Sequence, residues 1–270
     1  MGSRALALAR ELQRRFSADR AGNLAAAIGM RAFLALFPIV VLCIAVIGLF
    51  VGDATAFADR VVSALGLSGD AAKLITDATR TAQHTKVASS IIGIVGLLWT
   101  GTGLAAAITD TWNQVWKIPG GTLRGRLVGV GWLAGGGVLA VVGFGATGLV
   151  SGSGELAVVG IVGGLAVDTL LFLWTAWILP ARRIRVRAML PAAFFGGVGY
   201  ETLKLVGGYA VPAMVRRSST LYGTIGVVFA LLVWMLVLGY LVVSVALAEK
   251  VLWDQGASRS RDQDPSTALV

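Results

Sequence analysis

The sequence predicts an all-α, polytopic integral membrane protein with six transmembrane helices and both termini cytoplasmic. Composition is the first reason: of 270 residues, 56% are hydrophobic and 14% charged, with mean hydropathy +0.81. A soluble domain carries roughly 25% charged residues. Six apolar runs near the roughly 20 residues that span a bilayer are the second reason; they cover residues 32–51, 87–108, 127–150, 156–179, 188–211 and 223–247. The third is the distribution of cations along the chain. Arg4, Arg10, Arg14, Arg15, Arg20 and Arg31 precede or open the first run, and Lys117, Arg124 and Arg126 separate the second from the third. Arg182, Arg183, Arg185 and Arg187 separate the fourth from the fifth, and Lys250, Arg259 and Arg261 follow the sixth. The opposite side holds Arg60, Lys73, Arg80, Lys86, Arg216 and Arg217, the first four in a loop shared with Asp53, Asp59, Asp70 and Asp77. The positive-inside rule then places both termini in the cytoplasm.

Residues 1–30 read as a cytoplasmic amphipathic segment. In "RALALARELQRRF", Leu8, Leu12, Arg15 and Phe16 recur at helical spacing with a basic remainder, the pattern of an interfacial helix. The six-helix domain occupies 31–250. Its outer segment, 55–86, sets Val61, Leu65, Leu74 and Ile75 among paired charges and breaks at "GLSGD", which predicts two short helices capping the outer face. The polar tail 251–270 predicts a disordered cytoplasmic end.

Pro38 lies inside the first run, where it removes one backbone hydrogen bond and predicts a helix kink. Trp112 and Trp116 of "WNQVW" stand at the predicted cytoplasmic edge of the second span, as interfacial anchors do. Glycine pairs at Gly125 and Gly129, Gly131 and Gly135, and Gly148 and Gly152 repeat small-xxx-small spacing, which packs helices within one chain or between copies in a homo-oligomer.

Polar residues inside the spans are the candidate site. Glu201 and Lys204, near the middle of the fifth run, share one helix face and can pair. A charge there costs about 2.5 to 3.5 kcal/mol on insertion scales. Gly197 and Gly208 fall on the same face, so that face is expected to turn toward the bundle. Asp168 in the fourth run is the third member of this hypothetical substrate path. One reading makes the trio a substrate or proton path; the other makes Glu201 and Lys204 a salt bridge that fixes helix register. On the outer side, Arg216 and Arg217 precede Ser219 and Thr220 at what reads as a helix start. Donors at a helix N-terminus can take an anionic lipid headgroup, and an ordinary N-cap explains the same residues.

Other chemistries lack their residues. One cysteine, Cys43, and one histidine, His84, give no metal or haem ligand set. No nucleophile and base stand at a recognisable spacing, and no Walker-type "GxxxxGK" is present. The sequence therefore predicts no enzyme, metal or cofactor. Topology and attraction to anionic lipid account for the net charge of +9 without nucleic acid as a partner.

"AAAIGMRAFLALFPIVV", "TDTWNQVWKIP", "LPARRIRVRAMLPAAFFGG" and "YGTIGVVFALLVWMLVLGYLVVSVALAEKV" follow one another in the order that resembles the YihY/BrkB family of bacterial inner-membrane proteins. The resemblance implies a multi-pass inner-membrane protein with six spans and cytoplasmic termini. Met30 and Arg31 stand where the family usually has two aromatic residues. A ribonuclease label attached to the family is at odds with the short, basic, carboxylate-poor cytoplasmic segments, since metal-dependent nucleases need clustered carboxylates. Two functions are expected to compete. One is a transporter or lipid-handling protein with a polar intramembrane path. The other is a non-catalytic scaffold that partners envelope proteins through segment 55–86 or the cytoplasmic ends.

Overall fold

The computed structural model describes residues 11, 13–17, 20–50, 59, 62–63, 72–73, 76–77, 86–118, 124–148, 154–180 and 186–263. Every regular element among them is helical: α1 (Ala21–Phe50), α2 (Lys86–Trp116), α3 (Arg124–Gly148), α4 (Gly154–Ile178) and α5 (Val186–Gln263). Residues 13–17 are helical as well. Five stretches of the described residues are long and apolar enough to cross a membrane, namely Ala21–Leu42, Ile91–Trp116, Leu127–Thr147, Val158–Ile178 and Ile225–Gly256. No more than 33% of the residues in any of their windows are buried. Large apolar side chains such as Phe37, Trp99 and Val141 face outward instead. Water does not favour such a surface, whereas lipid does.

Two boundaries differ from the sequence reading. The first span begins at Ala21, because Ala21, Ala25, Ile28, Ala32 and Ala35 form one buried stripe at helical spacing. Arg31 thus lies inside the helix and does not flank it. The predicted fifth and sixth spans fall on two helical limbs, labelled together α5 and divided at Gly223 (φ 60°, ψ −142°), a conformation open to glycine and strained for other residues. The last limb continues to Gln263, so the predicted disordered tail is helical through that residue. Lys250 and Asp254, paired at 2.7 Å one turn apart, support the extension. The helix α1 also runs unbroken past Pro38. Most of the predicted outer segment 55–86 lies outside the described residues.

The described residues form two compact units. One comprises residues up to Ala26, Ala105–Thr202 and Gly239 onward; the other comprises Ala27–Leu104 and Leu203–Leu238. In the first, α3 packs on α4. Gly135 seats the Trp174 indole, whose Cζ2 would stand 2.7 Å from any β-carbon there. Trp132 Nε1 donates to Thr175 Oγ1 at 3.0 Å across the same pair of helices. Gly196 receives the Phe172 ring, and Gly197 approaches the Thr169 backbone, its hypothetical β-carbon 2.9 Å from the amide nitrogen. Phe16 stacks on Tyr240 with ring centroids 5.8 Å apart, which ties the N-terminal helical residues to α5.

In the second unit, α1 meets α5 at Gly29, where a β-carbon would stand 2.8 Å from Leu236 Cα and 2.9 Å from the Met235 carbonyl oxygen. Gly96 accommodates Pro38, and Gly93 lies against Leu42. Arg31, half-buried, donates from its guanidinium to the Gly103 carbonyl of α2. Val215 and Ala230 form a small core on which Val62 and Ala72 pack. Among the predicted small-xxx-small positions, Gly129 and Gly135 make close contacts, whereas Gly131 meets nothing within 4 Å.

Backbone cannot retreat as a side chain can. Gly29→Val is therefore expected to lower stability by about 1 to 3 kcal/mol, read as thermal unfolding in detergent. Gly131→Ala is expected to leave the transition unchanged or raise it. Equal behaviour of the two variants would contradict the close α1–α5 contact.

Candidate functional site

The first limb of α5 presents Met189, Ala193, Gly197 and Glu201 at four-residue intervals, all buried. A stripe of that period faces one side of a helix, so Glu201 is carried inward by its apolar and small neighbours. Its carboxylate reaches Thr147 Oγ1 of α3 at 3.1 Å from both oxygens. Gly164 of α4 makes the room: a β-carbon there would stand 2.7 Å from Glu201 Oε2 and 2.8 Å from Thr147 Oγ1. Three helices of the first unit thus converge on one carboxylate.

Thr147 has a single hydroxyl proton, and the Gly143 carbonyl lies 2.9 Å from the same oxygen. The hydroxyl can therefore donate to the Glu201 carboxylate or to the Gly143 carbonyl of its own helix.

Asp168 of α4 is 1% exposed and precedes Thr169, the residue seated on Gly197. Tyr200, adjacent to Glu201, lies within electrostatic reach of Asp168 and edges against Phe144 and Phe172. The structure therefore brings Glu201 and Asp168 into one unit. Lys204 is half-buried and belongs to the other unit, whose second segment begins at Leu203. Gly208 on the predicted inward face is exposed and meets nothing within 4 Å.

The outer anion site changes character. Arg216, Arg217, Ser219 and Thr220 lie inside α5 ahead of the break at Gly223, near the end of a limb and not at a helix start. Carbonyl groups accumulate at such an end, so helix geometry there favours cations and not a bound anion. Both arginines are exposed.

Two polar positions escape the sequence reading. Glu249, 2% exposed, accepts a hydrogen bond of 2.8 Å from Trp112 Nε1, itself fully buried. Trp112 and Trp116 are consequently core residues and not lipid-facing anchors; Trp116 is 7% exposed and meets Trp253 edge to face. The signal was present in the spacing of Val242, Val245, Ala246 and Glu249, which continues an inward stripe to the glutamate. The other is Arg31, hidden by the late assignment of the first helix start.

At the chain's N-terminal side, Glu11 accepts from Arg14 and Arg15, and Arg15 also pairs with Asp254 at 2.9 Å. Those two guanidinium groups hold the Glu11 carboxyl down at about 2. Residues predicted to lie on lipid are thus engaged by the chain itself. Among the described residues no three of His, Cys, Asp and Glu come together as a metal-binding group.

Removing a donor from a buried carboxylate leaves it short of a charge-assisted hydrogen bond. Trp112→Phe is expected to lower stability by about 2 to 3 kcal/mol, and Glu249→Gln combined with it is expected to recover part of that loss. A double-mutant cycle on thermal unfolding measures the coupling; additive losses would sever the pair.

The chain matches the family described as Virulence factor BrkB over residues 12–267. The inner membrane protein YhjD of Escherichia coli (strain K12) is 31% identical over 61 residues, which cover 23% of this chain and 18% of that relative's length. No solved structure matches. With its apolar helices and this match along nearly the whole chain, the protein belongs to the Virulence factor BrkB family, as a multi-pass protein of the bacterial inner membrane.

Proposed function

We propose that the chain is a non-catalytic transporter or lipid-handling protein in which Glu201 and Asp168 line a polar intramembrane path. The observation that carries this reading is the Glu201 carboxylate set between Thr147 and Gly164, with buried Asp168 in the same unit. Two carboxylates in apolar helices oppose insertion, and a purely architectural contact is readily supplied by apolar residues. A carboxylate held by a hydroxyl from a neighbouring helix in glycine-made space instead fits a group that meets a polar cargo.

Topology supports the same reading. The limbs of α5, residues 186–222 and 224–263, each exceed the roughly 20 residues of a crossing; reading each as one crossing would give six with α1 to α4, and the positive-inside rule would then favour cytoplasmic termini. The open Gly131 is available for contact with a second copy in a homo-oligomer.

In reconstituted vesicles, wild type is expected to accelerate transbilayer movement of a short-chain fluorescent anionic phospholipid. Glu201→Gln and Asp168→Asn are each expected to slow it about tenfold, equivalent to about 1.4 kcal/mol, with unchanged membrane recovery. Full activity in both variants would dismiss the path. Loss of stability alone, in a protein that never moved lipid, would return it to an envelope scaffold.

A further inference from the structure

The first unit carries a second polar feature away from the apolar stripes. Helical residues 13–17, the end of α2 and the later turns of α5 border an open cleft of about 380 Å³ lined by Arg14, Arg15, Lys117, Lys250 and Asp254, with Trp116 in its wall. Four cations face one carboxylate, and Glu11 behind Arg14 and Arg15 supplies only one more negative charge. The cleft keeps a positive excess.

Two of the four cations, Arg15 and Lys250, are held in place, while Arg14 and Lys117 are exposed at the rim. Arg15 binds Glu11 through Nε at 2.8 Å and Asp254 through Nη2 at 2.9 Å. Lys250 binds Asp254 at 2.7 Å, and its ammonium stands 5.1 Å from the centroid of the Trp116 ring. The Arg15 and Lys250 side chains are only 25% and 23% exposed. A guanidinium has five N–H donors and an ammonium three, so these bonds leave each cation donors to spare among the described contacts.

Lys117 closes α2 in a position that glycine usually takes. Its φ is 54°, its amide donates to the Gln114 carbonyl at 3.2 Å, and the Ile118 amide donates to Asn113 at 2.8 Å. This is the left-handed helix end that an unbranched glycine serves without strain. A lysine kept there adds a cation to the cleft wall.

We propose that this cleft binds the phosphate group of an anionic ligand. Its volume suits a phosphorylated headgroup and falls in the range of small-molecule sites; guanidinium forks and ammonium donors match phosphate oxygens. Trp116 and Trp253 stand at the end of an apolar stretch, where headgroups lie. Bound phosphate would clamp Arg14 and Arg15 of the N-terminal segment to Lys117 and Lys250. The site stands apart from the Glu201 path and does not depend on it.

The test titrates the full-length protein in neutral detergent with dioctanoyl phosphatidic acid, inorganic phosphate and dioctanoyl phosphatidylcholine, followed by tryptophan fluorescence and thermal unfolding. Saturable binding of phosphatidic acid is expected, weakened at least tenfold in an Arg14→Gln, Lys117→Gly double variant. Arg14 has 75% of its side chain exposed and Lys117→Gly relieves a left-handed position, so that variant keeps its fold. An Arg216→Gln, Arg217→Gln control is expected to bind as wild type does. Phosphatidic acid binding without inorganic phosphate binding assigns the source to lipid, and comparable binding of both assigns it to soluble phosphate compounds. No saturable anion binding, equal binding of phosphatidylcholine, unchanged affinity in the double variant, or an equal loss in the control would each overturn the proposal.

Discussion

Lipid gives apolar helices no reason to leave it, so this bundle depends on contacts closer than lipid tails can make. Glycine provides them. Trp174 on Gly135, Phe172 on Gly196, Leu241 on Gly199 and Trp234 on Gly207 each bring a large side chain to 2.5–2.9 Å of where a β-carbon would be. At Gly29 and Gly197 the visitor is backbone. Dispersion gained at such distances falls steeply with separation, which makes these glycines structural elements and not interruptions of helices.

The same device seats charge. Glu201 occupies space that Gly164 leaves free, and Thr147 completes the contact from a third helix. Glu249 uses a different solution, a buried indole donor at 2.8 Å. Arg31 uses a third, a helix carbonyl. Each polar group is matched by a partner type suited to its chemistry, and each partner is distant in sequence. The described helices therefore seat buried polar residues with three kinds of partner, and no three carboxylates gather among the described residues.

Much of this was legible in advance. Apolar runs located α3 and α4 to within a few residues and the start of α2, whose end at Trp116 lies well past the predicted run, because helix–lipid contact demands uninterrupted apolarity. Glu201 and Asp168 stood out for the same reason. Helix ends were less legible: Arg31 reads as the flank of the first span, yet the alanine stripe from Ala21 to Ala35 packs on both sides of it, and Lys250 with Asp254 continues a helix through a sequence that reads as tail. Partners were illegible. Nothing in "FGATG" distinguishes Thr147 from a hydroxyl bonded only to its own helix, and Trp112 at a span edge looks like an interfacial anchor until Glu249 is placed beside it. The outer arginines were misplaced because a single glycine, Gly223, decides whether Ser219 and Thr220 begin a helix or end one.

The central claim is that glycine-made space positions the intramembrane carboxylate. Gly164→Ala tests it most directly, since the added methyl would fall on both Glu201 and Thr147 while leaving every titratable group in place. Carboxyl vibrational spectra of the variant and of wild type, recorded in bilayers, would compare the Glu201 band. The account predicts a displaced band, reporting loss of the Thr147 hydrogen bond, in a protein that still inserts. A band identical to that of wild type would contradict it.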